Sequence, residues 1–296
     1  MEEDCTGDSP ANSFVETVID FVQRCLLGIL SVGPIPSHIA FIMDGNRRYE
    51  KTHNLSYGMG HRAGYVALMN LLKYCYRLGV KYVTVYAFSI DNFKRPPEEV
   101  QNLMQLLQEK IESLLKAESI VHKYGIRVHF IGNLKLLDES VRLAAEKAMK
   151  ATACHNKAVL SICIAYTSTN EVLHAVQVSC RGACSVAQST NGSIEGVGFG
   201  MEKQENQIIS LVDIEKRMYM AVAPDPDIVI RSSGETRLSN FLLWQTGCSI
   251  LHTTAALWPE VGLGHLVWAT SSCHPSSPSS KLALMPLVRN SPERQR

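Results

Sequence analysis

Short, nearly continuous apolar runs alternate along the chain with longer stretches in which apolar residues return at helical spacing. The runs are HIAFIM (38–43), YVTVYAF (82–88), IRVHFI (126–131), VLSICI (159–164) and DIVIR (227–231), and each reads as a strand. The periodic stretches Gly64–Leu78, Pro97–Lys123, Ser140–Cys154 and Thr169–Ser179 lie between them and read as helices. Strands apolar at almost every position, separated by helices, predict an α/β protein: a mainly parallel sheet flanked by helices on both faces. No internal repeat interrupts this order.

Three segments depart from it. Cys180–Glu205 is rich in Gly and Ser and lacks a long apolar period, so it is expected to be a flexible insertion (180–205). After Trp268 the chain turns to serine, proline and a basic end, which argues against a packed helix in 269–296. The folded body is therefore expected over 34–268. In the N-terminal region (1–33), Ser13–Leu30 has an amphipathic helical pattern from Phe14 to Leu30, broken by Glu16, Asp20 and Arg24. Each charge would cost roughly 2.5–3.5 kcal/mol at a bilayer centre, so this helix is read as packing on protein or lying on a membrane surface.

Composition narrows the field a little further. With 29 basic and 28 acidic residues, the net charge of +1 gives no overall bias toward nucleic acid, so any anion site must come from local placement. The 9 cysteines include no C-x-x-C pair and read as reduced thiols, not as a disulfide frame or a zinc site. The first ten residues are polar and acidic, unlike a secretory signal.

In an open parallel sheet, ligands bind beyond the carboxyl ends of the strands. The first run ends in Asp44-Gly45-Asn46-Arg47-Arg48, the second in Ser89, Asp91, Asn92 and Arg95, and the fifth in Arg231, Ser232, Ser233, Arg237 and Ser239. Three strands would thus deliver carboxylate, amide, hydroxyl and guanidinium groups to one edge. Asp44 suits a hard cation such as Mg²⁺, which takes one or two carboxylates together with phosphate oxygens. Gly45 and the backbone after it can approach a phosphate closely, and the arginines offer planar forks to phosphate oxygens. Taken singly, each element has a plainer explanation. Asp-Gly-Asn can be only a turn, Ser89 and Asn92 can cap the helix beginning near Pro96–Pro97, and His61 can be structural. The broad apolar stripe from Val100 to Leu115 can likewise be core, or it can line a channel for a hydrocarbon tail.

Five blocks then carry a resemblance: HIAFIMDGNRR (38–48), GHRAG (60–64), YAFSIDNF (86–93), IRSSGETRLSNFLLWQ (230–245) and ALWPE (256–260). In this order they closely resemble the cis-prenyltransferases, the undecaprenyl and dehydrodolichyl diphosphate synthases. GPIP (33–36) and AYTST (165–169) look most like the plant branch. The resemblance implies a six-stranded, mainly parallel sheet flanked by helices. It also implies repeated condensation of isopentenyl diphosphate onto an allylic diphosphate such as farnesyl diphosphate, with cis double bonds. By the same resemblance Asp44 would bind Mg²⁺, and Gly45, Asn46, Arg47 and Arg48 would cradle the allylic diphosphate, while Arg95 is read from its residue type as a further phosphate-binding arginine. Arg231, Arg237 and Ser239 would hold isopentenyl diphosphate. His61, Ser89 and Asn92 would align the substrates and assist proton loss, and Phe88 and Phe93 would contact the prenyl chain.

The match also has departures. Glu50 stands where the family usually has Ala, an added anion expected to weaken diphosphate binding. Tyr57 and Ile250 stand where bacterial members carry Arg and Glu, and no Arg-x-Gly follows residue 268. The resemblance therefore implies a catalytic subunit working with a partner similar to the Nogo-B receptor, peripherally at the cytoplasmic face of the endoplasmic reticulum or in the cytosol. The tail is expected to reflect an alternative transcript or an imperfect gene sequence. A non-catalytic scaffold subunit and a phosphohydrolase with Asp44 as nucleophile are the other readings. Retention of the Asp-Gly-Asn and arginine blocks weighs against the first, and the lack of a second nearby Asp weighs against the second.

Overall fold

The computed structural model describes residues 35–190 and 209–271, together with Gly28. The Ser13–Leu30 helix apart from Gly28, the insertion beyond Thr190 and the tail beyond Ser271 lie outside the described residues.

Six strands form one sheet: β1 (His38–Ile42), β2 (Tyr82–Ser89), β3 (Ile126–Ile131), β4 (Ala158–Tyr166), β5 (Ile228–Arg231) and β6 (Ile250–Thr253). Their order is β3-β4-β2-β1-β5-β6 and every neighbouring pair is parallel. The sixth strand, ILHT, is absent from the five apolar runs read above. It is a four-residue edge strand whose side chains are mostly half-exposed or exposed, so it never acquires the apolar run of a central strand.

Eight α-helices occur among the described residues: α1 (Asn46–Thr52), α2 (Met59–Leu78), α3 (Pro97–Leu114), α4 (Ile120–Tyr124), α5 (Glu139–Ala151), α6 (Ser168–Thr190), α7 (Leu211–Lys216) and α8 (Leu263–Ser271). Strand alternation divides the core between the two faces of the sheet. Ile39 and Phe41 of β1 join the larger cluster with Leu71, Leu72, Val83 and Val85, whereas Ala40 and Ile42 join Tyr166, Val229, Phe241 and Leu242 on the other side.

Several helix boundaries differ from the sequence expectation, and α2 begins at Met59, five residues before the expected Gly64. Pro97–Lys123 is not one helix but two. Ser119 ends the first by donating to the Leu114 carbonyl (2.7 Å) and caps the second by accepting from the His122 N–H (3.5 Å). A hydroxyl that bonds nearby backbone competes with helix continuation, which the apolar period does not register. The insertion expected from Cys180 is helical as far as Thr190. Ser179 bonds the Ala175 carbonyl and accepts from Arg217, and a Cβ on Gly182 would lie 3.0 Å from Arg217 Nη2. The last helix continues to Ser271, three residues beyond the expected boundary at 268.

Two buried polar groups tie the chain together around β1 and β4. His38 donates from Nδ1 to the Pro224 carbonyl and accepts at Nε2 from the Thr84 hydroxyl, each at 2.7 Å. Glu171, at the start of α6, accepts from Tyr166 Oη (2.6 Å), the Met220 N–H (2.7 Å) and Gln245 Nε2 (3.1 Å). Burial pushes its carboxyl above the usual range despite these donors.

Candidate active site

Strands β2, β1 and β5 are adjacent in the sheet, so their carboxyl ends open side by side. Beyond β1 the chain turns through Gly45 at φ 105°, a conformation that a side chain would strain, and enters α1 with no side-chain cap on its first turn. Space also demands glycine here, because a Cβ would lie 2.9 Å from Leu257 Cδ2. Asp44 is held firmly: its N–H donates to Ser232 Oγ (2.9 Å), and its carbonyl accepts from Ser232 Oγ (2.6 Å) and the Trp258 N–H (3.0 Å).

The Asp44 carboxylate is one-third exposed and faces Arg231 Nη2 at 2.7 Å, with Arg48 Nη2 at 3.7 Å. Burial by itself raises its pKa, but the bond and charge of Arg231, with Arg48 behind, hold it below the usual range. Arg231 is almost fully buried and reaches further, to Ser239 Oγ (2.7 Å) and the Arg237 carbonyl. On the other side, Glu99 at the start of α3 bridges Arg47 (3.3 Å) and Arg95 (3.0 Å). Burial lowers the Arg95 pKa, and the neighbouring Arg47 adds to this.

These groups surround the mouth of a cavity of about 740 Å³. Asp44, Asn46, Arg47, His61, Ser89 and Asn92 line it, as do Phe88, Arg95, Arg231, Arg237 and Ser239. Three expected residues are not on the wall. Gly45 packs against Leu257, Arg48 hydrogen-bonds Ser233, and Phe93 stands behind Phe88, edge to face at 4.9 Å. Arg237 turns its guanidinium toward Glu235 and is mostly exposed.

Ser89 and Asn92 do cap a helix, though not the one expected: they form a reciprocal capping box on the 3₁₀ turn Ile90–Lys94. Ser89 Oγ accepts from the Asp91 N–H and Asn92 Oδ1 accepts from the Ser89 N–H. What these side chains still offer the cavity is therefore a hydroxyl and an amide donor. Burial pulls the His61 pKa below its ordinary value, with Glu50 opposing and Arg95 and Arg47 reinforcing. The imidazole is thus neutral at neutral pH.

Behind the mouth the cavity is apolar. Phe88 of β2, Phe130 of β3 and Leu160, Ile162 and Ile164 of β4 form its floor. Leu68 and Met69 of α2 close one side, and Leu103, Leu107, Ile111 and Leu114 of α3 close another. The apolar stripe on α3 therefore packs the core and lines a channel at once. Two buried polar atoms of lining residues, Asn46 Oδ1 and Arg231 Nε, have no protein partner. Such orphans are expected where a ligand or water completes the bonding.

Glu50 is accounted for differently from the sequence expectation. Its carboxylate accepts from the Gly60 N–H (3.1 Å) at the start of α2, a helix that no side chain caps at Gly58. Sequence reasoning assigned no role to Glu99, Ser232 and Trp258, although Ser232 stood in the fifth strand's polar end and Trp258 in the ALWPE block. Glu99 had a signal, as an acidic residue in the first turn of the helix that begins at Pro97, close in sequence to Arg95. The roles of Ser232 and Trp258 depend on contacts to Asp44 more than 180 positions away.

Comparison with known proteins agrees with this geometry. The undecaprenyl diphosphate synthase family of prenyltransferases matches residues 42–274. A dehydrodolichyl diphosphate synthase of Solanum lycopersicum is 58% identical over 258 residues, covering 86% of this chain and 89% of the relative. A subunit of the dehydrodolichyl diphosphate synthase complex of Homo sapiens is 41% identical over 238 residues, covering 80% of this chain and 67% of the relative. The crystal structure of lavandulyl diphosphate synthase from Lavandula x intermedia, in complex with dimethylallyl diphosphate, superposes with a TM-score of 0.67 at 26% identity, covering 80% of this chain and 94% of that one. The chain belongs to the undecaprenyl diphosphate synthase family and is a cis-prenyltransferase, an enzyme of prenyl-chain elongation.

Proposed function

We propose that this chain is the catalytic subunit of a dehydrodolichyl diphosphate synthase-like enzyme that condenses isopentenyl diphosphate onto farnesyl diphosphate or a similar allylic diphosphate. The observation that carries this reading is the union of guanidiniums from three adjacent strand ends with an apolar cavity directly behind them. An amphiphile with a diphosphate head and a hydrocarbon tail matches both halves.

In the reaction the allylic C–O bond breaks and the diphosphate leaves with the bonding electrons. The allylic carbon joins the terminal alkene carbon (C4) of isopentenyl diphosphate, the positive charge passes to C3, and loss of a proton from C2 makes the new C2–C3 double bond. Gly45, Asn46, Arg47, Arg48 and Arg95 would hold the departing diphosphate, and Arg231, Arg237 and Ser239 the other. Fixing both heads at one sheet edge aligns the reacting carbons, and donors aimed at the leaving oxygens stabilise the charge that develops there. Ser89 and Asn92, left with donors, suit orientation of a diphosphate and not removal of a proton. The neutral imidazole of His61 and the departing diphosphate remain as acceptors. Phe88, backed by Phe93, would meet the first part of the prenyl chain.

Asp44 and Asp91 are the carboxylates that line this cavity, Asp91 being paired with Lys94, and among the described residues no cluster of three or more His, Cys, Asp or Glu could hold a metal. That donor set fits Mg²⁺ carried jointly by Asp44 and diphosphate oxygens, where it would neutralise the leaving group. Asp44 would also hold Arg231 in place for the second diphosphate.

A partner subunit similar to the Nogo-B receptor is part of this proposal, supported by the human relative's description as a subunit of a complex. So is peripheral placement at the cytoplasmic face of the endoplasmic reticulum, or in the cytosol. Among the described residues no helix is long and apolar enough to cross a membrane. The division into an N-terminal region (1–33), a catalytic domain (34–268) and a tail (269–296) belongs to the same reading.

The test is incorporation of labelled isopentenyl diphosphate into extractable polyprenyl product, with farnesyl diphosphate and Mg²⁺, for this chain alone and with such a partner. Product that requires both Mg²⁺ and the partner is expected. Full activity from the chain alone would remove the partner, and full activity in chelator would remove the metal.

A further inference from the structure

Residues 167–169, where β4 gives way to α6, take no part in the chemistry described above, although they belong to the AYTST block (165–169). Two strands, β2 and β1, stand between β4 and β5 in the sheet. The segment beyond β5 nonetheless reaches α6 and caps it. The Asn240 carbonyl accepts from the Ser168 N–H at 2.8 Å, and Asn240 Oδ1 accepts from the Thr169 N–H and from Thr169 Oγ1, each at 3.1 Å. The first N–H groups of a helix have no partner within it, and capping usually comes from the residue just before them. Here it comes from a residue 71 positions beyond Thr169. In return Ser168 Oγ accepts from the Leu243 N–H at 2.8 Å.

Around these ties the backbone is unusual. Ser239, Asn240 and Leu242 have φ of 49°, 59° and 48°, the left-handed region that residues with a side chain rarely enter. Asparagine tolerates this conformation, but serine and leucine keep it only where the surroundings dictate it. Arg231 Nη1 donates to Ser239 Oγ at 2.7 Å, Tyr86 Oη reaches the Ser239 carbonyl at 3.4 Å, and Leu242 is fully buried. Ser239 is exposed and lines the cavity beside Arg231. Its turn is therefore set from one side by the guanidinium and from the other by α6.

We propose that Ser168, Thr169 and Asn240 are positioning residues for the second diphosphate: the amino end of α6 holds the left-handed turn that presents Ser239 to isopentenyl diphosphate. The proposal rests on the assignment of Arg231 and Ser239 to that substrate. Without the tie the segment relaxes toward ordinary backbone angles and Ser239 Oγ leaves Arg231. A site that is competent only part of the time binds with an affinity reduced by that fraction. The loss falls on isopentenyl diphosphate and not on the allylic substrate, which other residues hold.

The experiment uses the full chain, with any partner the wild type requires. It measures kcat, the KM for each substrate and the melting temperature of Thr169→Val, Thr169→Ser, Asn240→Gly and Ser239→Ala. Thr169→Val deletes one donor and is expected to raise the KM for isopentenyl diphosphate about threefold. Asn240→Gly leaves the left-handed turn open to the backbone but deletes the Oδ1 acceptor, and is expected to raise it about tenfold. In both, kcat and the KM for farnesyl diphosphate stay within about twofold, as when ground-state binding alone is lost. Thr169→Ser keeps the hydroxyl and is expected to match the wild type. An unchanged KM in Ser239→Ala would overturn the assignment of Ser239, and the proposal with it. A raised KM in Ser239→Ala, with Thr169→Val and Asn240→Gly lowering only the melting temperature, would overturn the positioning role and leave that assignment standing. A raised KM in Asn240→Gly with a wild-type KM in Thr169→Val would make Asn240 a direct substrate contact and would also overturn the proposal.

Discussion

Asp44 and Arg231 meet because β1 and β5 pair in parallel with Ile42 opposite Arg231, which leaves the carboxylate two residues beyond the register. The pair does two things at once: it keeps Asp44 ionised and it fixes a buried guanidinium at the mouth. Asp44→Asn keeps the shape and removes the charge. We expect it to lower kcat/KM by roughly 100-fold or more, the usual scale for losing a charge-stabilising group, with the fold retained by circular dichroism. Wild-type turnover in that variant would remove Asp44 from the mechanism. His61 makes a prediction in pH. Its folded pKa lies below 6.5, so as pH falls below 6.5 the unfolded chain takes up a proton before the folded one does. The contribution to stability is present above pH 6.5 and is lost as the pH falls through the folded value. If proton loss needs neutral imidazole, the acid limb of kcat/KM will also lie below 6.5, and His61→Gln will remove or displace it. A limb above 6.5 in the wild type would assign it to another group.

Two glycines one helical turn apart bring α1 and α2 together. A Cβ on Gly60 would lie 2.1 Å from the Asn46 carbonyl oxygen, and one on Gly64 would lie 2.2 Å from Asn46 Oδ1 and 2.8 Å from Trp258 Cδ1. The Gly64 carbonyl also accepts from the Trp258 indole N–H at 2.8 Å, so this close approach joins three residues that line the cavity, Asn46, Gly64 and Trp258, as well as packing the helices. Gly64→Ala is expected to destabilise the protein by about 1–3 kcal/mol, the range for overpacking a filled interior. Because the displaced atom belongs to Asn46, kcat/KM should fall further than stability alone explains. Urea unfolding beside kinetics at a temperature where both proteins are folded will separate the effects. Glu50 belongs to the same junction. Its charge meets the N-terminus of α2, where a carboxylate is favourable, and this offsets the repulsion it would otherwise exert on a diphosphate.

The cavity exists because α2 and α3 do not close over the sheet between them; its floor is apolar strand and its mouth carries the arginines. Such a shape makes product length a property of packing volume. Ile162, buried on β4 in the floor, is the position to probe. Ile162→Phe should shorten the product by taking up cavity volume while leaving the diphosphate groups untouched. Product length resolved by chromatography checks this, and an unchanged distribution would mean that the chain follows another path.

Much of this was readable from the chain alone, for identifiable reasons. Central parallel strands are buried on both faces, so β1, β2, β4 and β5 announce themselves as apolar runs, and the edge strand β3 joins them because Ile126, Val128, Phe130 and Ile131 are buried. The polar residues that follow β1, β2 and β5 mark the site because ligands bind at carboxyl ends in such a sheet. The edge strand β6, the break at Ser119 and the continuation of α6 to Thr190 were hidden. Each depends on a neighbour, a local hydroxyl or a close approach that apolar periodicity does not encode. Residue identity determined which chemistry is present: guanidiniums, carboxylates and a stripe of leucines. Only the tertiary structure decided that Asp44 faces Arg231, that Ser232 and Trp258 hold Asp44 in place, and that the leucines border an open volume. Contacts between residues far apart in sequence are set by how elements pack, and an unfilled space has no sequence of its own.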